Sequence, residues 1–202
     1  MLTLPKIAVT GGLACGKSSA CHFFEELGAY VVSADDIVHQ LLSPATNLGQ
    51  EVVKLIGSDI VVNHQIDRSL IAKKVFQNPK LLKSLEQILH PAVGIELEKL
   101  YQRIKAENKV PLFVAEIPLL FEANGDKFFT YDYSVAVIAS KDICEARFQQ
   151  VTGYDKDEYQ ARASRQLSLE EKAKKADYVI VNNGSLQDLR KAVVSIFKSI
   201  TL

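Results

Sequence analysis

A glycine-rich stretch near the start of the chain has the residue types and the spacing that bind phosphate. Residues 11–20 read GGLACGKSSA, and Gly11 with Gly16-Lys17-Ser18 matches the pattern G-x-x-x-x-G-K-[ST]. An apolar run precedes it and a helical pattern follows, so backbone N–H groups and a helix N-terminus can converge on one anion. Lys17 would reach the β- and γ-phosphates, and Ser18 would coordinate Mg²⁺. We predict a nucleoside triphosphate site here; the alternative is a glycine-rich turn that only joins a strand to a helix.

The sequence favours a small-molecule kinase over a GTPase as the class of protein that uses this loop. A GTPase reads guanine with an N-K-x-D segment, whereas the one Asn-Lys pair, Asn108-Lys109, is followed by Val110 and Pro111. A kinase needs an acidic residue near the attacking hydroxyl and arginines that close over the phosphates. The chain has candidates for both.

The acidic candidates follow the second apolar run. Asp35 and Asp36 come directly after residues 29–33, and open parallel sheets bind their ligands at the carboxyl ends of strands. Asp35 could therefore orient the hydroxyl or hold Mg²⁺. The alternative is an N-cap for the helical pattern that follows, and the residues alone leave both open.

The arginine candidates lie beside or within a polar, highly charged segment at 151–172. Arg147, Arg162 and Arg165 could clamp phosphate oxygens, or they could lie on a solvated charged face. The segment has few residues suited to a core, which predicts a mobile flap or an exposed helix pair.

The elements that must position these residues alternate between strand and helix. Apolar runs suited to buried parallel strands occur at 6–10, 29–33, 111–117, 133–139 and 178–181. Helical patterns separate them, which predicts an α/β fold with a parallel sheet covered on both faces.

About 75 residues separate the second and third strands, far more than one crossover needs. Their pattern is mostly helical, so we interpret them as a helical insertion. Pro79 and Pro91 stand where helices can begin. Because Pro91 explains a helix break, His90 beside it is, without further context, a structural residue.

Composition limits the class of partner. The 202 residues are 48% hydrophobic and 24% charged, and 24 Lys and Arg balance 24 Asp and Glu, so no overall field attracts nucleic acid or a membrane surface. Cys15, Cys21 and Cys144 have no paired spacing, which argues against a disulfide framework and a zinc site. The first residues lack a signal-peptide pattern, and no apolar run reaches about 18 residues. We expect a cytoplasmic protein that binds neither nucleic acid nor membranes.

Six separated segments together resemble the dephospho-coenzyme A kinase family. They read VTGGLACGKS (9–18), ADDIVHQLL (34–42), IDRSLIAKKVF (66–76), LEQILHP (85–91), PLLFE (118–122) and ADYVIVNNG (176–184). The phosphate loop is common among kinases, whereas Asp67-Arg68, His90-Pro91 and the segment 118–122 are much more particular to this family.

The resemblance implies a P-loop kinase fold with a five-stranded parallel sheet flanked by helices, a helical acceptor-binding insertion and a lid. The core would comprise residues 1–62 and 110–202, with the lid at about 145–166, and the insertion residues 63–109. The implied reaction is ATP- and Mg²⁺-dependent phosphorylation of the ribose 3′-hydroxyl of dephospho-coenzyme A, the last step of coenzyme A biosynthesis, by a monomer or small homo-oligomer. Another P-loop nucleoside or nucleotide kinase, or a weakly active nucleotide-binding paralogue, remains the alternative.

The resemblance also assigns roles to residues. Catalysis would involve Lys17, Arg147 and Arg162, with Asp35 as the nearby carboxylate, and Mg²⁺ would bind Ser18. Glu116, where this chain departs from the family, could also help hold Mg²⁺. ATP would bind Gly11, Gly12, Ala14, Cys15, Gly16, Lys17, Ser18 and Ser19. The acceptor would bind Arg68, His90, Pro118 and Leu119.

Three positions depart from the family pattern. The family usually has Asp-Ala-Asp where this chain has Ser33-Ala34-Asp35, and a serine cannot act as a general base unaided. Relatives often have a lid arginine near the position of Val151, and a shorter acid or an apolar residue at Glu116. Phosphoryl transfer depends mainly on positioning and charge neutralisation, so we expect a working kinase even without that aspartate. Its rate would be lower if a general base contributes, and Asp35 is the nearby carboxylate that remains.

Overall fold

The structure is a computed structural model that describes residues 4–201, so the outermost residues of the predicted core lie outside the described part. A five-stranded parallel sheet forms its centre, in the order β2-β5-β1-β6-β7. The strands are β1 (Lys6–Gly11), β2 (Tyr30–Ser33), β3 (Val61–Val62), β4 (Gln65–Ile66), β5 (Phe113–Glu116), β6 (Tyr133–Ile138) and β7 (Tyr178–Val181). Each of the five predicted apolar runs contains a strand of the sheet, and β3 and β4 form a separate antiparallel hairpin. The predicted α/β fold with a five-stranded parallel sheet is confirmed.

The helices alternate with the strands and cover both faces of the sheet. They are α1 (Lys17–Glu26), α2 (Ala34–Leu41), α3 (Asn47–Ile56), α4 (Arg68–Phe76), α5 (Pro79–Glu107), α6 (Lys141–Thr152), α7 (Lys156–Ala163), α8 (Leu169–Lys175) and α9 (Leu186–Thr201). On one face, Phe24 of α1 and Val193 of α9 share a buried cluster with β1. On the other face, Ile37 of α2 and Leu97 of α5 pack with Phe113 of β5. Because β1 is central, its apolar side chains are fully buried, which fixes the position of the loop that follows it.

The helical region between β2 and β5 has a hydrophobic cluster of its own. Its buried members are Val52, Ile56, Ile60, Ile66, Ile71, Val75 and Leu85, from α3, the β3–β4 hairpin, α4 and the first half of α5. The cluster takes side chains from both sides of the boundary predicted between residues 62 and 63, and that division into domains stays a prediction.

The predicted helix break at Pro91 is wrong. Helix α5 begins at Pro79, as predicted, where the side chain of Asn78 caps it, but it continues through Pro91 to Glu107. Proline removes one backbone hydrogen bond in a helix interior. Here the two halves of the helix are held independently, since Leu85 packs in the helical-region cluster and Val93 packs against the sheet. His90 therefore lies inside a continuous helix.

The polar segment at 151–172 contains α7 and the start of α8, in agreement with the helix-pair interpretation. It is less exposed than expected, because Tyr159 is 5% exposed and Lys172 is 0% exposed. Within residues 4–201, no helix combines the length and the apolar character needed to cross a bilayer.

Candidate active site

The glycine-rich loop connects the central strand β1 directly to α1, and two of its glycines are sterically required. Gly11 has a φ of 150°, and a Cβ there would lie 2.0 Å from the carbonyl oxygen of Val137. Gly16 has a φ of 95°, and a Cβ there would lie 2.3 Å from Nδ2 of Asn182. That amide donates a hydrogen bond of 2.9 Å to the carbonyl oxygen of Cys15, so the segment after β7 holds the loop in place. Sequence reasoning missed this role of Asn182.

The N-terminus of α1 is open toward the loop. Side chains cap the first turns of α4 and α5, from Asp67 and Asn78 respectively. By contrast, within residues 4–201 no side chain caps α1, whose N-cap is Gly16. The unpaired N–H groups of a first turn and the helix dipole together favour an anion at this end of α1.

Lys17, the first residue of α1, folds back over the loop. Its Nζ donates hydrogen bonds to the carbonyl oxygens of Gly11 and Gly12, at 3.3 and 2.9 Å. Burial lowers the pKa of Lys17 below its usual range, while the nearby Glu116 carboxylate opposes that shift. The ammonium group is therefore held over the loop in a partly dehydrated space, where it interacts strongly with a phosphate.

Glu116 ends β5 beside the start of α1. The Ser18 hydroxyl donates a hydrogen bond of 3.1 Å to Oε1 of Glu116. Burial raises the pKa of the Glu116 carboxyl, although the Ser18 hydrogen bond and the Lys17 charge act in the opposite direction. In the register of the sheet, Glu116 pairs with Ser33 at the end of β2. The glutamate therefore lies next to the position where the family pattern has an aspartate.

Asp35 occupies the second position of α2, whose N-cap is Ser33. The N-cap interpretation of Asp35 is therefore wrong, because the helix begins at Ala34, two residues earlier than that interpretation requires. The exposed Asp35 carboxylate and the Glu116 carboxylate line the same cavity.

Most of the predicted donor-site residues line one cavity of about 670 Å³, which we call the loop cavity. The predicted residues on its wall are Ala14, Gly16, Lys17, Ser18, Ser19, Asp35, Glu116, Pro118, Leu119, Arg147 and Arg162. Gly11, Gly12 and Cys15 are buried within the loop itself.

The two predicted catalytic arginines reach the loop cavity from α6 and α7. Nη1 of Arg147 is buried and has no hydrogen-bond partner among the residues that the structure describes. Arg162 is exposed, donates from Nε to Glu158 at 2.7 Å, and lies over the Tyr154 ring at 5.0 Å from its centroid. The third arginine, Arg165, lies 3.9 Å from the centroid of the Phe76 ring at the end of α4. Arg147 therefore has unused donor capacity at the loop, which a phosphate oxygen can satisfy.

A second, apolar cavity of about 260 Å³ adjoins the first, and we call it the apolar cavity. The two cavities share Asp35, Pro118 and Leu119 on their walls. His90 lines the apolar cavity and stacks on the Phe128 ring, with centroids 5.2 Å apart. Burial lowers the pKa of His90, so the imidazole is neutral near pH 7.

Arg68 is the one predicted acceptor residue away from both cavities. It is an exposed side chain in the first turn of α4, directly after the cap Asp67. It lines neither the loop cavity nor the apolar cavity, and its role in acceptor binding stays a prediction.

Sequence reasoning missed Lys172 of α8, which is fully buried. Its Nζ donates to the carbonyl oxygen of Pro118 at 2.9 Å and lies 3.4 Å from that of Gly11. It also forms an ion pair of 2.9 Å with Oε1 of Glu122. One side chain thus ties together the phosphate loop and the segment 118–122. The available signal was Glu122 at the end of an apolar run, because a carboxylate in such a place needs a cationic partner.

Comparison with known proteins identifies the family. The sequence model described as Dephospho-CoA kinase matches residues 6–188. The dephospho-CoA kinase of Protochlamydia amoebophila (strain UWE25) is 49% identical over 203 residues, which cover 100% of this chain and 99% of that protein. The one from Chlamydia pneumoniae is 45% identical over 197 residues, covering 98% and 96% of the two chains. Among solved structures, the dephospho-CoA kinase from Campylobacter jejuni superposes with a TM-score of 0.69 at 29% identity, over 97% and 96% of the two chains. The chain belongs to the dephospho-CoA kinase family.

Proposed function

We propose that this protein transfers the γ-phosphoryl group of ATP to the ribose 3′-hydroxyl of dephospho-coenzyme A, which gives coenzyme A. The observation that carries the proposal is the junction of the two cavities, where a phosphate-binding loop and an apolar cavity share Asp35, Pro118 and Leu119. A donor in one cavity and an acceptor in the other would place the reacting groups within reach of each other. Family membership supports the identity of the acceptor.

The loop cavity suits the triphosphate of ATP. The open N-terminus of α1 would bind phosphate oxygens through backbone N–H groups. Lys17 would leave its carbonyl partners for the β- and γ-phosphates, and the unpartnered Nη1 of Arg147 would donate to a phosphate oxygen. Arg162 would exchange its exposed Glu158 partner for a phosphate when ATP binds.

The oxygen atoms beside Lys17 fit a Mg²⁺ ion. Within residues 4–201, no group of three or more His, Cys, Asp or Glu side chains is arranged to hold a metal ion. Mg²⁺ is usually held by one or two protein oxygens together with phosphates and water, and the Ser18 hydroxyl and the Glu116 carboxylate, 3.1 Å apart, offer such a pair. A bound Mg²⁺ would neutralise charge that develops on the transferred phosphoryl group.

The apolar cavity suits a flat, uncharged part of the acceptor. The neutral His90 imidazole and the Phe128 ring offer aromatic faces at its wall. The acceptor hydroxyl would then lie at the junction, where Asp35 can accept its hydrogen bond and orient it toward the γ-phosphate.

The proposed roles of the segments follow from these cavities. The insertion at 63–109 would bind the acceptor through His90, and the lid at about 145–166 would supply Arg147 and Arg162. We also propose a cytoplasmic protein that acts as a monomer or small homo-oligomer without nucleic acid. The three cysteines, all free thiols, support a reducing compartment.

The experiment that tests the proposal offers competing acceptors to one protein sample. ATP and Mg²⁺ are supplied with dephospho-coenzyme A, with nucleoside monophosphates, or with water alone, and ADP release is measured. The phosphorylated position of the product is then read from ³¹P and ¹H NMR spectra. We expect turnover with dephospho-coenzyme A and a 3′-phosphate product.

Two other outcomes would contradict the proposal. A preference for a nucleoside monophosphate would make the protein a different nucleotide kinase. ATP binding without turnover would make it a nucleotide-binding paralogue that lacks the family's aspartate at position 33. Variants of the phosphate loop, such as Lys17→Ala, need a control at an exposed lysine. Lys109→Ala serves as that control, because the Lys109 side chain is 77% exposed.

A further inference from the structure

Two buried thiols meet at the back of the phosphate loop. Sγ of Cys15, in the loop, lies 3.1 Å from Sγ of Cys144, in α6. Both residues are 0% exposed and pack among apolar side chains, with Tyr159 beside them. The contact joins residues 129 positions apart in the chain, so it depends on the folded core.

The surroundings of the two thiols favour a thiolate at Cys15 rather than at Cys144. The hydrogen bond between the two thiols lowers the pKa of Cys15 to about 7, and the Lys17 charge contributes. The same hydrogen bond and burial raise the pKa of Cys144, which therefore remains a thiol. A thiolate is the nucleophile in cysteine oxidation, and a neighbouring thiol can resolve the product.

The third cysteine provides an internal comparison. Cys21 lies in α1 and is buried in the cluster under the sheet. Burial raises its pKa strongly, so it stays a protonated thiol. The chain thus offers one acidic thiol with a partner and one inert thiol.

Cys15 is buried, but its neighbours in the loop line two cavities. Its neighbours Ala14 and Gly16 line the loop cavity. On the other side, Gly12 and Leu13 line a cavity of about 440 Å³, which also reaches Tyr159. A local shift of the loop in the absence of ATP would therefore expose the Cys15 sulfur.

We propose that Cys15 and Cys144 form a reversible oxidation site that takes hydrogen peroxide as oxidant and disables the phosphate loop. The Cys15 thiolate attacks one peroxide oxygen, the O–O bond breaks, and the departing hydroxide takes a proton to leave as water. The sulfur of Cys144 then attacks the Cys15 sulfenic acid, so an S–S bond forms, the S–O bond breaks, and a second water carries away the Cys144 proton. The two cysteines lose two electrons and two protons in total, and the peroxide is reduced to two water molecules.

The disulfide would move the loop. An S–S bond is about 2.05 Å long, so the two sulfurs must approach by about 1 Å from their present separation. The loop is held on its other side, because the carbonyl oxygen of Cys15 accepts a hydrogen bond of 2.9 Å from the Asn182 amide. A displacement of about 1 Å at a reacting centre can lower the rate by about 100-fold. We expect the oxidised protein to bind ATP at least about 10-fold more weakly, because the backbone N–H groups of the loop no longer converge on one anion.

The test oxidises the reduced, folded full-length chain with hydrogen peroxide, blocks free thiols with N-ethylmaleimide, and maps the peptides by mass spectrometry. The wild type should give one cross-linked peptide pair, containing Cys15 and Cys144, and lose about 2 Da, which dithiothreitol reverses. ATP affinity, measured by calorimetry before and after reduction, should fall and recover with the cross-link.

Two variants make the result specific. Cys144→Ser should keep the basal activity but gain about 16 Da at Cys15 without a cross-link, because the sulfenic acid has no partner. Cys21→Ser should form the disulfide as the wild type does. A cross-link to Cys21, over-oxidised Cys15 without a cross-link in the wild type, or a disulfide that leaves ATP affinity unchanged would each overturn the proposal. Peptide mapping does not depend on activity, so failure here is distinguishable from failure of the proposed function.

Discussion

At the residue scale, the candidate reaction centre is a small group of opposite charges in a partly buried space. Burial lowers the pKa of Lys17 and raises that of Glu116, so each charge is held at some cost in solvation. The same dehydration strengthens the interaction of these charges with a phosphate or a metal ion. Substitutions here should therefore affect turnover more than folding.

Lys17→Ala should remove most of the transition-state stabilisation. In the proposed complex the ammonium group would bridge the β- and γ-phosphates where water is scarce, so we expect kcat to fall by about 100-fold or more and ATP affinity to fall less. Steady-state kinetics and calorimetry separate the two effects, with Lys109→Ala as the exposed control. A variant with near wild-type kcat would show that the loop assignment is wrong.

The role of Asp35 at the junction of the two cavities can be tested by substitutions at Asp35 itself and at Ser33 and Glu116, which pair at the ends of two neighbouring strands. If Asp35 orients the hydroxyl, Asp35→Asn should lower kcat by about 100-fold. Ser33→Asp restores the family pattern but adds a charge beside Glu116, its partner in the sheet register. Because Glu116 is the proposed Mg²⁺ ligand, we expect Ser33→Asp to raise kcat while Glu116 is present, and the added Glu116→Gln to remove that gain. A silent Asp35→Asn would contradict the role of Asp35.

Protonation of Glu116 should set the acidic side of the pH profile of kcat/KM, at a pH above the usual titration range of a glutamate. Burial raises the pKa of its carboxyl above the ordinary value of 4.5, so the group takes up a proton at a higher pH than an exposed glutamate does. Because only the ionised form binds Mg²⁺, kcat/KM should fall as the pH drops through that raised pKa. More Mg²⁺ should move this limb to lower pH by competing with the proton, and Glu116→Gln should abolish it. An acidic limb that does not respond to Mg²⁺ would point to another group.

At the element scale, α8 is attached to the phosphate loop and to the segment 118–122 through one buried cation. Lys172 contacts Gly11 and Pro118 through their carbonyl oxygens and Glu122 through its carboxylate. Thr10 also donates to the Pro118 carbonyl, at 3.0 Å. Thr10 of β1 and Lys172 of α8 thus both hold Pro118, which lies on the wall shared by the two cavities.

Lys172→Met should destabilise the protein because it leaves the Glu122 carboxylate buried without its cation. Breaking a buried ion pair by removing one partner costs about 3 to 5 kcal/mol of unfolding free energy. Adding Glu122→Gln should recover part of that loss, since the charge is gone while an amide oxygen can still accept from the Leu167 N–H. Urea denaturation measures both variants. The exposed Lys174→Met serves as the control and should change stability by less than about 0.5 kcal/mol.

At the scale of the whole molecule, the sequence predicted the sheet and the loop because those signals are local. Apolar runs and the spacing from Gly11 to Ser18 can be read within a few residues. The helix through Pro91 could not be predicted, since packing of Leu85 and Val93 in two different clusters overrides the local break. The burial of Lys172 was not predicted either, because Glu122 indicates that a cation is needed but not which one, and the partners of Lys172 lie 50 or more positions earlier in the chain.

One pair of side chains links the segment that follows α7 to the end of α4. Arg165 follows α7, and its guanidinium carbon lies 3.9 Å from the centroid of the Phe76 ring at the end of α4. The Phe76 ring is 52% exposed, so the contact is not part of a core. A cation–π pair at such a site contributes about 0.5 to 1 kcal/mol, which would favour a closed position of the proposed lid.

Arg165→Gln and Phe76→Leu should each raise the KM for ATP and for dephospho-coenzyme A together, by about 2- to 5-fold, because the pair lines neither cavity and acts through closure. The double variant should be no worse than either single one.

His90→Ala provides the contrast: it should raise the KM for the acceptor and leave ATP affinity nearly unchanged, since His90 lines only the apolar cavity. Steady-state kinetics with each substrate varied in turn distinguishes the two patterns. Additive effects in the double variant would show that Arg165 and Phe76 act separately, and an equal loss of both ligands in His90→Ala would return that residue to a structural role in α5.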